Sequence, residues 1–240
     1  MKLINHKDPM GLAIKDYFYT GHNKPLCIKS SMYEDDEMPV QNLFRTEADM
    51  PWIEQQALKL CNGRILDVGA GAGCHSMVLQ QKGHEVISID ISPNSVDVMR
   101  QRGISEAYCA DFYTDEFGCN FNTILMLMNG IGIAGSLRHL PNLLKRCQEL
   151  MTKDGCILAD SSDLRYIYED ENGLFDWDKE DGYYGEVDFQ MQYGSCKGPT
   201  FNWLYVDFET LSQIAQNVGM QAEKICTGNH YEYLARLRMV

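Results

Sequence analysis

The feature that most constrains this chain is a short strand-like run, RILDV at 64–68, that passes into Gly69-Ala70-Gly71-Ala72-Gly73, followed by a second run, VISID, ending in Asp90. Glycines let the backbone turn sharply and let a ligand approach with no side chain in the way. In an open parallel sheet, ligands bind beyond the carboxyl ends of the strands, where the strand order reverses. An acid ending the second strand can accept hydrogen bonds from two vicinal ribose hydroxyls. The two runs together predict an α/β sheet with a nucleoside-containing ligand at its edge.

The flanking pattern agrees. A helix is expected from Pro51 to Gly63, with Trp52, Ile53, Ala57, Leu58 and Leu60 facing inward. Ser76 to Gln81 reads as a helix stopped by Gly83, and Ser92-Pro93 as the N-cap and first position of another, closed by Gly103. Ala107 to Cys109 is a short strand leading to Asp111, and FNTILMLM (121–128) a longer one ending at Asn129-Gly130. Leu137, Leu140, Leu143, Leu144, Cys147 and Leu150 repeat at helical spacing, with Gly155 as the stop and CILAD (156–160) as the next strand. Strands alternating with helices at this pitch predict a doubly wound, mostly parallel sheet with helices on both faces.

After Asp163 the pattern changes. The stretch 170–181 is acidic and loop-like, Glu186 to Tyr193 and Phe201 to Val206 alternate like a hairpin, and Leu211, Ile214, Ala215 and Val218 mark a helix stopped by Gly219. Two strands near 221–226 and 232–239 give the sheet an antiparallel C-terminal end. We expect one domain over 1–240: an N-terminal, largely helical cap (1–50), a ligand-binding core (51–163), an inserted loop and hairpin (164–206), and a C-terminal helix and strands (207–240).

Composition narrows the function. The net charge is −13, from 21 basic and 34 acidic residues. Proteins bind phosphate backbones by neutralising them with Lys and Arg, so no nucleic-acid partner is expected, and anionic membranes would repel the chain. No apolar stretch approaches the roughly 20 residues that span a bilayer. The start of the chain has no sustained apolar segment or small-residue cleavage site, so export is not expected and the chain reads as cytoplasmic. The nine cysteines include no C-x-x-C pair and read as reduced thiols. The six histidines show no ligand spacing, and no metal is called for. Oligomeric state is not legible.

A dinucleotide fingerprint wants G-x-G-x-x-G, and its third glycine would fall on Cys74. The spacing here is G-x-G-x-G, with Asp67 inside the preceding strand. In this respect the sequence resembles the class I S-adenosylmethionine-dependent methyltransferases. RILDVGAGAG is similar to that family's first motif, and HEVISIDISP to the segment carrying its ribose-binding acid. ADFY (110–113) resembles the motif whose Asp meets the adenine amino group, FNTILMLMNG the fourth-strand motif, and LMTKDGCILADSSD the helix-to-strand segment that follows. In the last of these, Lys153-Asp154 stands where the family usually has Pro-Gly. The resemblance covers roughly 52–163 and the antiparallel C-terminal pair, and implies a Rossmann-like fold.

The resemblance implies S-adenosylmethionine as cofactor, with Asp67, Gly69 and Gly71 lining its methionine side. Asp90 would hold the ribose, Ile91 would lie against the adenine, Asp111 and Phe112 would meet the adenine amino group and ring, and Met128 and Asn129 would floor the site near the sulfonium. Arg45, in LFRTEADMP, is a candidate for the cofactor's carboxylate, since a guanidinium suits a carboxylate fork. Methyl transfer needs a general base only if the acceptor must lose a proton. Asp163 and Asn129 are the first candidates, with His139, Tyr17 and Tyr19 behind them. Asn129 is followed by Gly130-Ile131-Gly132 and not by the Pro-Pro-Tyr or Pro-Pro-Phe of enzymes that methylate planar amides or base amino groups. A small-molecule acceptor is therefore expected, beneath an insertion rich in aromatics such as Tyr166, Tyr168, Trp177, Tyr184 and Trp203. A cofactor-binding domain without catalysis, or a nicotinamide-dependent oxidoreductase, are the alternatives.

Overall fold

A computed structural model describes residues 2–4, 7–177 and 182–240. Residues 178–181, the end of the acidic stretch read above as a loop, lie outside the described residues. Along the chain, α1 (Pro9–Thr20), β1 (Leu26–Lys29), β2 (Asp36–Met38) and α2 (Trp52–Leu60) precede the alternating part. This consists of β3 (Arg64–Val68), α3 (Cys74–Gln81), β4 (Glu85–Asp90), α4 (Pro93–Gln101), β5 (Ala107–Cys109), β6 (Phe121–Met126), α5 (Leu140–Leu150) and β7 (Met151–Ser162). The antiparallel hairpin β8 (Glu186–Tyr193) and β9 (Cys196–Leu204), then α6 (Phe208–Asn217), β10 (Met220–Thr227) and β11 (Glu232–Met239), complete it.

Seven strands form the central sheet in the order β10-β11-β7-β6-β3-β4-β5. The five from β7 to β5 are mutually parallel, β11 runs antiparallel to β7, and β10 antiparallel to β11. The chain leaves β3 towards β4 and β5, then crosses back to β6 and β7, so strand order reverses between β3 and β6. Ligands of open α/β sheets bind beyond the carboxyl ends of the strands at such a reversal.

Inward residues alternate between the two sheet faces. Leu66, Ile124 and Ile157 pack with Leu144 and Leu211 on one side, and Ile65, Leu125 and Leu158 with Leu58 and Leu79 on the other. Each such fully buried side chain contributes about 1.5–3 kcal/mol relative to exposure. Several caps read from sequence are present. Ser92 accepts the N–H of Ser95 at 3.0 Å ahead of Pro93, and Gly83, Gly103 and Gly219 take positive φ just after α3, α4 and α6; Gly63, expected to end α2, lies beyond its Cys61 cap.

The N-terminal extension is helical only in part. β1 pairs antiparallel with β2 and with β8, so that a four-stranded sheet, β2-β1-β8-β9, replaces the isolated hairpin expected from sequence. Its apolar contacts join Leu26, Val40 and Leu43 to Ala13, Ile14 and Val98. Asp8 anchors α1 from below. Fully buried, it accepts the Gly11 N–H at 2.8 Å, the Ser92 hydroxyl at 2.6 Å and the Asn94 amide at 3.0 Å. A single carboxylate thus caps α1 and ties it to the start of α4.

Two local expectations are corrected. Trp52, expected to face inward, is 54% exposed, because the buried phase of α2 runs through Ile53, Glu54, Ala57 and Leu58. Gly155 does not end α5, which stops at Leu150 and passes directly into β7. Gly155 lies within β7, where a Cβ would stand 2.8 Å from the Phe121 carbonyl, so the residue serves close strand approach.

Candidate functional site

The glycine-rich turn and Asp90 meet at this reversal of strand order. Gly69, Gly71 and Gly73 all adopt positive φ, where glycine alone escapes steric penalty. They do different work. A Cβ on Gly69 would meet nothing within 4 Å, and one on Gly71 only Leu43 at 3.9 Å, so the turn presents bare backbone to open space. A Cβ on Gly73 would stand 2.1 Å from Ile104 and 3.0 Å from Met99, so the third glycine allows the turn to pack against the segment around α4.

Asp90 receives the Gly71 N–H on Oδ2 at 2.9 Å and the Ser92 N–H on Oδ1 at 2.8 Å. Burial pushes its carboxyl up to about 6, and the two backbone donors partly offset this. Each oxygen keeps a lone pair for a further donor, as two vicinal hydroxyls would require. Ile91, 38% exposed, lies beside it, and its carbonyl accepts the Leu3 N–H at 2.9 Å. Asp111 sits at the next strand end, accepting the Tyr113 N–H at 2.9 Å and donating its own N–H to Asp115 at 2.8 Å.

Asp67 lies beneath the turn and not on its surface. Buried on β3, it accepts the Ser76 hydroxyl at 2.5 Å, and Ser76 accepts that of Ser88 at 2.7 Å. Burial raises its pKa, opposed by the nearby His75 charge and by Ser76. Phe112 departs furthest from its expected part. At 1% exposure it is enclosed in the core against Phe117, while its neighbour Tyr113 is 39% exposed. The chain after Asp111 turns so that the first ring points into the sheet, which leaves Phe112 no face for a ligand.

A buried ionic chain that the sequence reading missed stands behind the turn. Arg45 donates through Nη2 to both oxygens of Glu54, at 2.8 and 2.9 Å, and Glu54 Oε2 lies 2.7 Å from His75 Nε2. Glu54 and His75 are both buried, and Arg45 is 15% exposed. Burial alone would lower the His75 pKa, but the neighbouring Cys74, Glu54 and Asp67 outweigh it and favour the imidazolium. The signal was available: Glu54 is a charge on the buried phase of α2, and His75 opens the helix whose Val78 and Leu79 face inward.

The end of β6 lies beside the glycine-rich turn in the strand order. Met128 and Asn129 both hold left-handed backbone, with φ of 62° and 56°. Such residues concentrate at functional sites, where the surroundings hold them in place. The Asn129 N–H donates to Asp160 Oδ1 at 2.9 Å, its side-chain oxygen accepts the Ser162 hydroxyl at 2.9 Å, and its carbonyl accepts the Trp203 indole N–H at 3.0 Å. Trp203 comes from β9, so the second sheet is fastened directly to this strand end. Asp163 stands at the rim. Its Oδ1 accepts the Arg165 N–H at 2.9 Å and the Tyr184 hydroxyl at 2.8 Å, capping the short 3-10 helix Leu164–Tyr168. His139 lies at the N-terminus of α5, 3.0 Å from Ser136 Oγ.

All nine cysteines are free thiols. Among the described residues no helix is long and apolar enough to cross a membrane.

Residues 65–155 match a family model described as a methyltransferase domain. Among solved structures, the chain is similar to a SAM-dependent methyltransferase from Bacteroides fragilis in complex with S-adenosyl-L-homocysteine. Identity is 49%, the match covers 100% of this chain and 98% of that one, and the TM-score is 0.94. The CcbJ methyltransferase of Streptomyces caelestis shares the fold at 12% identity, covering 82% of this chain and 93% of that one, with a TM-score of 0.59. A ubiquinone biosynthesis O-methyltransferase of Bordetella avium is 32% identical over 63 residues, a match that spans only 26% of this chain and 26% of that relative. With a full-length relative at nearly half identity and the turn, strand-end acid and strand order all in place, the chain belongs to the class I S-adenosylmethionine-dependent methyltransferases.

Proposed function

We propose that this chain transfers the methyl group of S-adenosylmethionine to a small-molecule acceptor, with the cofactor laid across the ends of β3, β4 and β5. The observation that carries the reading is the turn at Gly69 and Gly71, open at both glycines and bonded through Gly71 to the Asp90 carboxylate at the end of the next strand. Asp90 takes the ribose hydroxyls, Ile91 covers one side of the adenine, and Asp111 meets its edge. Gly69 and Gly71 line the methionine side with Asp67 supporting them from behind. Met128 and Asn129 floor the site below the sulfur, and Arg45, held by Glu54, supplies positive charge towards the cofactor's carboxylate.

When bound, the cofactor supplies an activated methyl carbon, so the chain need not supply a nucleophile. Its residues align the acceptor with that carbon and exclude water. The second sheet, fixed to Asn129 through Trp203, roofs the acceptor side. A net charge of −13 disfavours nucleic acid as acceptor, and nine free thiols suit a reducing cytoplasm.

The test is release of S-adenosylhomocysteine from the purified chain with S-adenosylmethionine and a panel of aryl amines, alkyl amines, phenols and sugars, set against RNA and peptide mixtures. Saturable turnover on a small molecule supports the reading. Turnover confined to RNA or peptide overturns the acceptor class, and cofactor binding with no turnover on any acceptor favours a sensor.

A further inference from the structure

Strand order divides the site into two halves. The cofactor residues Gly69, Asp90 and Asp111 follow β3, β4 and β5, while β7 lies two strands to the other side of β3, beyond β6. Neighbouring strands are about 4.8 Å apart, so the end of β7 lies roughly 10 Å from the glycine turn. Met128 and Asn129, proposed above as the floor below the sulfur, follow β6, which lies between the glycine turn and β7. An acceptor on the side of that floor away from the glycine turn would meet the end of β7. The residues there are Asp160, Ser161, Ser162 and Asp163.

Three of the four are committed to the fold. Ser161 accepts the Val206 N–H at 2.9 Å, Ser162 donates to Asn129, and Asp163 caps the following helix and holds Tyr184. Asp160 differs. It is 5% exposed, its Oδ1 accepts the Asn129 N–H, and among the described residues no other side chain donates to its Oδ2.

We propose that Asp160, through Oδ2, accepts the proton released by the methyl acceptor, and that the acceptor is therefore a small molecule whose attacking nitrogen or oxygen carries hydrogen. This rests on the transferase reading above. In the step, a lone pair on the acceptor atom forms the new bond to the methyl carbon, and the carbon–sulfur bond breaks with its electrons passing to sulfur. The acceptor's proton moves to Asp160, and from there to water. Protonation state supports the assignment: burial pushes the Asp160 carboxyl up to about 7, with Glu54 adding to the rise and the Asn129 N–H and His75 opposing it. A base is most effective when its pKa lies near the working pH. The titratable groups facing Asp160 are Glu54 from α2, His75 from α3, Tyr205 beyond β9 and Tyr233 on β11, and burial holds both tyrosines neutral.

The experiment compares the wild type with Asp160→Asn, using aryl amines and phenols in separate arms and calorimetry with S-adenosylmethionine alone. Aryl amines titrate well below the pH window of interest. Carbon-13 NMR of the Asp160 carboxyl in the free protein gives a readout independent of turnover. We expect S-adenosylmethionine affinity within threefold of wild type, kcat reduced at least about 100-fold, a wild-type rate that rises up to about pH 7 and then levels, loss of that limb in the variant, and an NMR midpoint near 7. Turnover on aryl amines alone identifies nitrogen as the acceptor atom, and on phenols alone oxygen. An Asp160→Asn enzyme with kcat within threefold of wild type overturns the proposal, as does a tenfold loss of cofactor affinity or a carboxyl that does not titrate between pH 5 and 9. Failure of the wild type to bind S-adenosylmethionine would instead strike the transferase reading itself.

Discussion

The amide of Gly71 donates to Asp90 Oδ2 at 2.9 Å, so the glycine-rich turn and the acid ending β4 are joined directly. The link sets the carboxylate proposed for the ribose against the backbone beside it. Preorganisation of this kind avoids an ordering cost at binding.

The glycines of the turn should separate on substitution. Gly73→Ala places a Cβ 2.1 Å from Ile104 at a φ of 78° and should cost about 3 kcal/mol, seen as a drop in thermal midpoint of several degrees. Gly69→Ala meets no neighbour, so it should cost only about 1–2 kcal/mol of backbone strain while weakening cofactor binding. Equal stability loss in the two variants, measured by denaturant unfolding, would contradict the division of labour.

Glu54 holds Arg45 and His75 together in a buried site. Removing it leaves two buried cations without their partner, so Glu54→Ala should destabilise by about 3–5 kcal/mol. Arg45→Lys should be milder in stability, because an ammonium still pairs with Glu54. It should nevertheless lower S-adenosylmethionine affinity, since the guanidinium fork is lost. Unchanged affinity in Arg45→Lys and Arg45→Ala, measured by calorimetry, would remove Arg45 from the cofactor site.

Asp160 makes a pH-dependent contribution to stability. Its carboxyl titrates higher in the folded chain than when unfolded, so the folded state binds more protons between the ordinary carboxylate range and about 7. The slope of stability with pH is therefore negative across that window, and this group's cost is full above it and absent below it. Asp160→Asn keeps an acceptor for the Asn129 N–H and should raise the thermal midpoint by a few degrees at pH 8 but not at pH 4. A gain of equal size at both values would mean that ionisation is not the cause.

Asp8 gives a test of the cap. Asp8→Ala removes acceptors for the Gly11 N–H, the Ser92 hydroxyl and the Asn94 amide, and should cost about 2–3 kcal/mol. Because α1 carries Tyr17 against Met128's cluster, cofactor affinity should fall as well. Unchanged stability would show that α1 is held by its apolar contacts alone.

The parallel core was legible because its signals are local. A strand run, a glycine turn and a Ser-Pro cap lie within a few residues of one another at 64–73 and 85–93, and the structure places each as read. β1 and β2 were not. Leu26–Lys29 and Asp36–Met38 carry no alternation, and their pairing depends on β8, more than 150 residues away. Asp160 was legible in principle, since it ends CILAD as Asp90 ends VISID. Asp163, the candidate expected from sequence, lies just beyond the end of β7 at Ser162. The Arg45–Glu54–His75 chain joins a loop and two helices: a charge at Glu54 on the buried phase of α2 is a local signal, but no spacing within the sequence joins it to Arg45 or His75.

The central claim is tested most directly by calorimetric titration of the purified chain with S-adenosylmethionine, S-adenosylhomocysteine and NAD, alongside Asp90→Ala. The account predicts binding of the first two at micromolar concentrations, loss of at least tenfold in the variant, and no heat with NAD. Binding of NAD with no response to S-adenosylmethionine, or full affinity in Asp90→Ala, would contradict it.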